Sequence, residues 1–193
     1  MRRVLPPSFF NRPTLAVARD FLGKYLVRKV GGKTTAVMIT EVEAYDGPRD
    51  RACHAHRGRT ERNAVMFGAA GCWYVYFVYG MHWMLNIVTG EAGYPAAVLL
   101  RGGGESFDAT RGKWDGPGKL TKALAVDRRL NGKAASRASG LWIEDRGTSV
   151  AARHVRRTER IGVAYAGSWA KKPYRFVLSP SPCPLPRGGG GTD

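Results

Sequence analysis

The chain has 193 residues, 44% of them hydrophobic, enough to bury a sizeable core in one domain. Lys and Arg number 31 against 15 Asp and Glu, a net charge of +16 that points to a polyanionic partner: nucleic acid first, an acidic membrane surface or a merely basic soluble enzyme after it. No apolar run approaches the ~20 residues of a membrane-spanning helix. The opening segment, Met1–Pro13, lacks the continuous apolar core and small-residue cleavage site of a signal peptide. Cys53, Cys72 and Cys183 form no C-x-x-C pair and are odd in number, so a reducing, cytoplasmic setting is the simpler reading.

In chain order, residues 13–22 read as a helix opened by Pro13 and ended by Gly23, with Leu15, Ala18 and Leu22 on one face. A strand at 25–30 leads through Gly31-Gly32, a hairpin signal, into a run at 34–45. Taken as a strand, that run places Val37, Ile39, Glu41, Glu43 and Tyr45 on one face. This face begins apolar and ends in two carboxylates beside a tyrosine. Residues 46–63 form an Arg-rich polar connection holding His54 and His56. Strands at 72–79 and 81–88 flank a tight turn at Gly80, with Tyr74, Tyr76 and Val78 sharing one face. A strand at 96–101 precedes Gly102-Gly-Gly104, read as flexible. A helix is expected at 118–125 and strands at 141–144, 160–164 and 174–178. The tail, 179–193, is rich in Pro and Gly and is expected to be disordered.

Several groups are suited to chemistry. A buried carboxylate at a strand end can act as a general base, and Glu43 fits. The bland alternative is a surface or salt-bridged glutamate, and Glu41 fits either role. Tyr45, Trp73, Tyr74, Tyr76, Tyr79 and Trp83 are core aromatics by default, but beside basic loops such rings stack on bases or face a cation. Three basic stretches suggest phosphate contacts: Arg49 to Arg62, Arg111 to Lys133, and Arg153, Arg156, Arg157 with Arg160. No Cys–His spacing matches a structural zinc site, and no deaminase signature, nucleophile elbow or Walker loop is present.

A set of ordered motifs then stands out. They are Ile39-Thr-Glu-Val-Glu-Ala-Tyr-Asp-Gly-Pro48, Cys53-His54, Arg62-Asn-Ala-Val-Met-Phe-Gly68, Tyr74-Val-Tyr-Phe-Val-Tyr-Gly-Met-His82 and Leu85-Asn-Ile87. Val98-Leu-Leu-Arg101, Gly116-Pro-Gly-Lys-Leu120, Arg160-Ile-Gly-Val163 and Ala166-Gly-Ser-Trp-Ala-Lys-Lys-Pro173 follow. Over roughly residues 8 to 178 the chain resembles the alkyladenine (3-methyladenine) DNA glycosylases, as a bacterial-type member. The resemblance implies an α+β fold: a single mixed domain, residues 1–178, around a curved antiparallel sheet flanked by helices, with no helix-hairpin-helix.

It also implies roles. Glu43 would be the general base that activates water and Arg101 would help hold that water. Tyr45, His54, Tyr76 and Asn86 would form the base pocket. Tyr79 would fill the gap left by the flipped nucleotide, with Met81 beside it. Lys119 and Arg128, together with Arg59 and Arg62 of the basic loop, would contact the DNA backbone. No cofactor or metal is implied. The expected partner is double-stranded DNA containing damaged purines, with the enzyme a monomer. His82, Gly118 and Tyr165 depart from the mammalian pattern, which has tyrosine, serine and histidine there. A site without lysine predicts a monofunctional glycosylase that leaves an abasic site. The competing readings are a non-catalytic nucleic-acid binder using the same aromatics and arginines, and an RNA-modifying enzyme.

Overall fold

The computed structural model describes residues 2–105 and 114–179; Arg111, Cys183 and the tail beyond Ser179 lie outside them. Among the described residues, ten strands form one antiparallel sheet: β1 (Arg3–Val4), β2 (Tyr25–Val30), β3 (Lys33–Tyr45), β4 (Trp73–Val78), β5 (His82–Thr89), β6 (Ala96–Gly104), β7 (Trp114–Asp115), β8 (Leu141–Asp145), β9 (Val155–Thr158) and β10 (Arg175–Leu178). The order is β1-β8-β2-β3-β6-β5-β4, with β7 on β6 and β10 between β3 and β9. Gly31 and Gly32 both take positive φ (55° and 77°), which closes the β2–β3 hairpin with the twist its strands need.

β3 organises the sheet. Its first half pairs with β2, and on the same edge Glu41–Glu43 pair with β10. Its other edge carries β6, with register shifts around Glu41. Irregular pairing of this kind bends a strand and re-aims its side chains.

α1 (Pro7–Phe10), α2 (Thr14–Phe21) and α3 (Pro117–Ala123) are short. α2 buries Thr14, Val17, Ala18 and Phe21, a stripe set one residue earlier than the expected Leu15–Ala18–Leu22 face. Leu22 is also buried, but as the cap residue after the helix. Phe21, Leu26, Ile39, Trp73, Val75, Leu85, Leu100 and Leu120 belong to one core on the inner face of the sheet. The opposite face of β4, β5 and β6 carries Tyr74, Tyr76, Asn86 and Leu99. The alternation read from β4 therefore holds.

Three expectations fail. Ile39 does not share a face with Glu43 and Tyr45: it lies in the core with Val42 and Ala44, because the register shifts around Glu41 break the period-two alternation. Gly102–Gly104 is not flexible: it extends β6 and pairs with β3 and β7. A Cβ on Gly103 would clash with Val37 Cγ1 and crowd the Met38 carbonyl at 3.0 Å, so the close approach of β3 explains the glycine. Residues 160–164 are not a strand. β9 ends at Thr158, Gly162 takes φ 78°, and a 3₁₀ segment follows at Ala164–Lys171. Among the described residues, no helix is long and apolar enough to cross a membrane.

Candidate active site

A cavity of about 360 Å³ opens on the outer face of β4–β6, walled by the loops that follow β3 and β9. Tyr45, His54, Tyr76, Tyr79, Asn86 and Arg101 all line it. His54 Nδ1 lies 2.9 Å from the Tyr74 hydroxyl, and its ring meets Tyr76 at 4.6 Å. Desolvation, and then the nearby Arg62 charge, lower the His54 pKa, which favours a neutral imidazole. The loop that presents His54 is tied by Asn63. Its Nδ2 donates to the carbonyls of His54 (3.0 Å) and Gly58 (2.9 Å), and its Oδ1 accepts from the Thr60 N–H. Asn63 is buried and was not singled out from sequence.

Glu43 stands just behind this wall, with 0% exposure. Its Oε2 accepts from the Tyr45 hydroxyl at 2.8 Å, and its Oε1 accepts from the Ile161 N–H at 2.8 Å. Arg101 Nε lies 3.4 Å from Glu43 Oε1 and 2.8 Å from Glu41 Oε1. Glu41 Oε1 also accepts from Arg175 Nε at 2.7 Å. Glu41 is thus committed to two arginines, whereas Glu43 has one longer ionic contact and two neutral donors. Desolvation raises the Glu43 pKa, opposed by Arg101, the Ile161 amide and Tyr45.

A family profile described as methylpurine-DNA glycosylase matches residues 8–182. The chain belongs to the methylpurine-DNA glycosylase family. Membership in this family makes it a DNA glycosylase, a hydrolase of N-glycosyl bonds, and it displaces the non-catalytic reading. A relative from Methanocella arvoryzae, named as a 3-methyladenine DNA glycosylase, is 46% identical over 97% of this chain and 98% of its own. Relatives with the same name from Anaeromyxobacter dehalogenans and Psychrobacter cryohalolentis are 45% and 40% identical, over 92% and 93% of this chain and 83% and 93% of their own.

Of the expected residues of this glycosylase, Met81, Arg59, Arg62, Lys119 and Arg128 do not line the cavity. Tyr79 is 84% exposed at the β4–β5 turn, with Met81 exposed two residues on. Tyr79 takes φ 53°, a left-handed conformation that is uncommon for a bulky residue. Arg62 lies over the Tyr76 ring at 5.1 Å and Arg59 over Phe67 at 5.9 Å. Lys119 is exposed on α3 and paired with Asp115 at 2.6 Å. Arg128 is exposed in a 3₁₀ turn packed on β4.

Arg160 corrects the sequence reading. Its side chain is wholly buried against Asp50, so it cannot belong to a phosphate-binding patch. The Arg160–Asp50 pair and the Ile161 amide were missed as parts of the site. The sequence signals for them are the Arg160-Ile-Gly-Val163 motif and Asp50, an acid set between Arg49 and Arg51. Among the described residues, no group of three His, Cys, Asp or Glu side chains is placed to hold a metal.

Proposed function

We propose that this glycosylase releases alkylated or deaminated purines, such as 3-methyladenine, 7-methylguanine, hypoxanthine and ethenoadenine, from double-stranded DNA by attack of a Glu43-activated water. The observation that carries this reading is the set of contacts on Glu43. A carboxylate offers about four acceptor positions. The Ile161 amide and the Tyr45 hydroxyl occupy two, and Arg101, whose Nε donates to Glu41, adds only a longer ionic contact at 3.4 Å, so acceptor capacity remains for a water. Breaking the N-glycosyl bond builds positive charge on the sugar, and an ionised Glu43 both orients the water and offsets that charge.

The other side chains suit the remaining tasks. Unstacking costs a few kcal/mol, least for a damaged base. Tyr79, exposed at a turn tip, can fill the gap left behind. The flipped purine fits between Tyr45 and the His54–Tyr76 pair, where tyrosine faces favour a cationic lesion. A neutral His54 adds no repulsion to such a base. Asn86, buried at the cavity wall, would disfavour the exocyclic amine of guanine. Met81, Lys119, Arg128, Arg59 and Arg62 would meet the DNA around the cavity. Among the described residues, no lysine lines the cavity, which supports hydrolysis without a Schiff base. The reading takes the enzyme to act as a monomer. Cys53 and Cys72 are free thiols, in keeping with a reducing, cytoplasmic setting.

The test is a release assay on duplexes carrying each of the four damaged bases, with and without borohydride. Release of free base that leaves an intact abasic strand supports the reading. A borohydride-trapped protein–DNA adduct, or no release of any of the four, overturns it.

A further inference from the structure

Asp50 and Arg160 lie 110 residues apart in sequence and meet with no solvent exposure of either side chain. Arg160 Nη2 donates to Asp50 Oδ1 at 2.8 Å, and Nη1 donates to Oδ2. Nη1 also reaches the Ala44 carbonyl at 2.8 Å, and Nη2 reaches the Trp169 carbonyl at 3.2 Å. The guanidinium lies over the Tyr45 ring at 4.9 Å and over the Tyr174 ring at 5.2 Å. Asp50 in turn accepts from the N–H groups of Asp46 and Ala52. Burying two charges is costly, and such a pair by itself says little about stability.

The position of this pair is informative. Ala44 and Tyr45 directly follow Glu43, and Tyr45 supplies the hydroxyl on Glu43 Oε2. Ile161 directly follows Arg160 and supplies the amide on Glu43 Oε1. Both neutral donors to the carboxylate therefore hang on one guanidinium. We propose that Arg160, clamped by Asp50, is a positioning residue that holds the Tyr45 hydroxyl and the Ile161 amide on the two oxygens of Glu43. This rests on the reading of Glu43 as the base.

Hydrogen bonds to the charged form of an acid favour that form. Burial raises the Glu43 pKa, and the two donors oppose it. Their loss leaves Glu43 protonated to higher pH. The charged and titratable groups around it are Glu41 and Tyr45 on β3, Arg101 on β6, Arg175 on β10 through Glu41, and Arg160 beyond Tyr45.

Arg160→Lys keeps the charge and loses the planar fork, so it separates donor placement from electrostatics. Single-turnover release of hypoxanthine from a duplex is followed across pH, beside lesion-duplex binding and thermal melting. The release rate is expected to fall about tenfold or more, with the acid limb moved up by about half a pH unit or more. Duplex binding is expected to stay within about threefold, since no DNA contact is removed. If Arg160→Lys does not fold, the paired variant Asp50→Asn with Arg160→Gln buries no lone charge and is measured the same way, with the same expectation. A folded variant whose acid limb does not move overturns the proposal, whatever its rate, because the pair is then only structural. Unmodified protein that releases no base overturns the reading of Glu43 as base, and this proposal with it.

Discussion

Glu41 and Glu43 share a strand face and an arginine, yet their surroundings leave them different chemistry. Glu41 Oε1 is taken by Arg101 and Arg175 at 2.8 and 2.7 Å. Glu43 is more deeply buried and less fully neutralised, and its pKa is raised. A base must be ionised to accept a proton, so activity is lost as pH falls through that raised value. The rate of hypoxanthine release is therefore expected to show an acid limb above the ordinary glutamate value of about 4.3. A limb at or below that value would place the titration elsewhere. Period-two alternation grouped Glu41 and Glu43 with Tyr45, but it also put Ile39 on their face, where the irregular pairing around Glu41 breaks the period, and it could not choose between the carboxylates. The choice depends on Arg175 and the Ile161 amide, which arrive from the far end of the chain. Family resemblance singled out Glu43, and the geometry supplies a physical reason to prefer it.

Two elements show how local geometry serves the site. The β4–β5 turn holds Tyr79 at φ 53° and 84% exposed. A left-handed conformation costs a non-glycine residue about 1–2 kcal/mol, and glycine's own entropy cost offsets part of what is regained. Tyr79→Gly is expected to leave stability in urea unchanged or raised by up to about 1 kcal/mol, while lesion-duplex affinity and base release fall. Lower stability with unimpaired release would show that the turn serves the fold instead. The second element is β6. Its glycines looked like a flexible linker because glycine runs usually mark loops, yet here β3 approaches too closely for a side chain. Gly103→Ala places a Cβ against Val37 and the Met38 carbonyl and is expected to cost about 1–3 kcal/mol in urea unfolding. A neutral substitution would mean that β3 and β6 separate easily at this point. The turn, the β2–β3 hairpin and the tyrosine face of β4 were legible because they depend on neighbours in sequence. The 160–163 loop was not, because the burial of Arg160 against Asp50 overrides its strand-like pattern.

Across the whole molecule, the excess of 31 basic over 15 acidic residues is the feature that first suggested a polyanionic partner. The structure distributes that charge unevenly in effect. Arg59, Arg62 and Arg128 are exposed, Lys119 is already paired with Asp115, and Arg160 is internal. Each backbone contact removed is expected to lower the slope of log affinity against log salt by about 0.9. Arg59→Gln, Arg62→Gln and Arg128→Gln should each approach that change in duplex titrations, and Lys119→Gln should fall short of it. Equal effects at all four positions would mean that Asp115 releases Lys119 on binding. The decisive group, however, is the Glu43 carboxylate, proposed as the base. Its most direct test is single-turnover release of hypoxanthine from duplex DNA by Glu43→Gln, beside the dissociation constant for the same duplex. The expected result is a rate lowered about 100-fold or more with binding kept within about threefold. Release by the variant at close to the unmodified rate would contradict the assignment of Glu43 as the base.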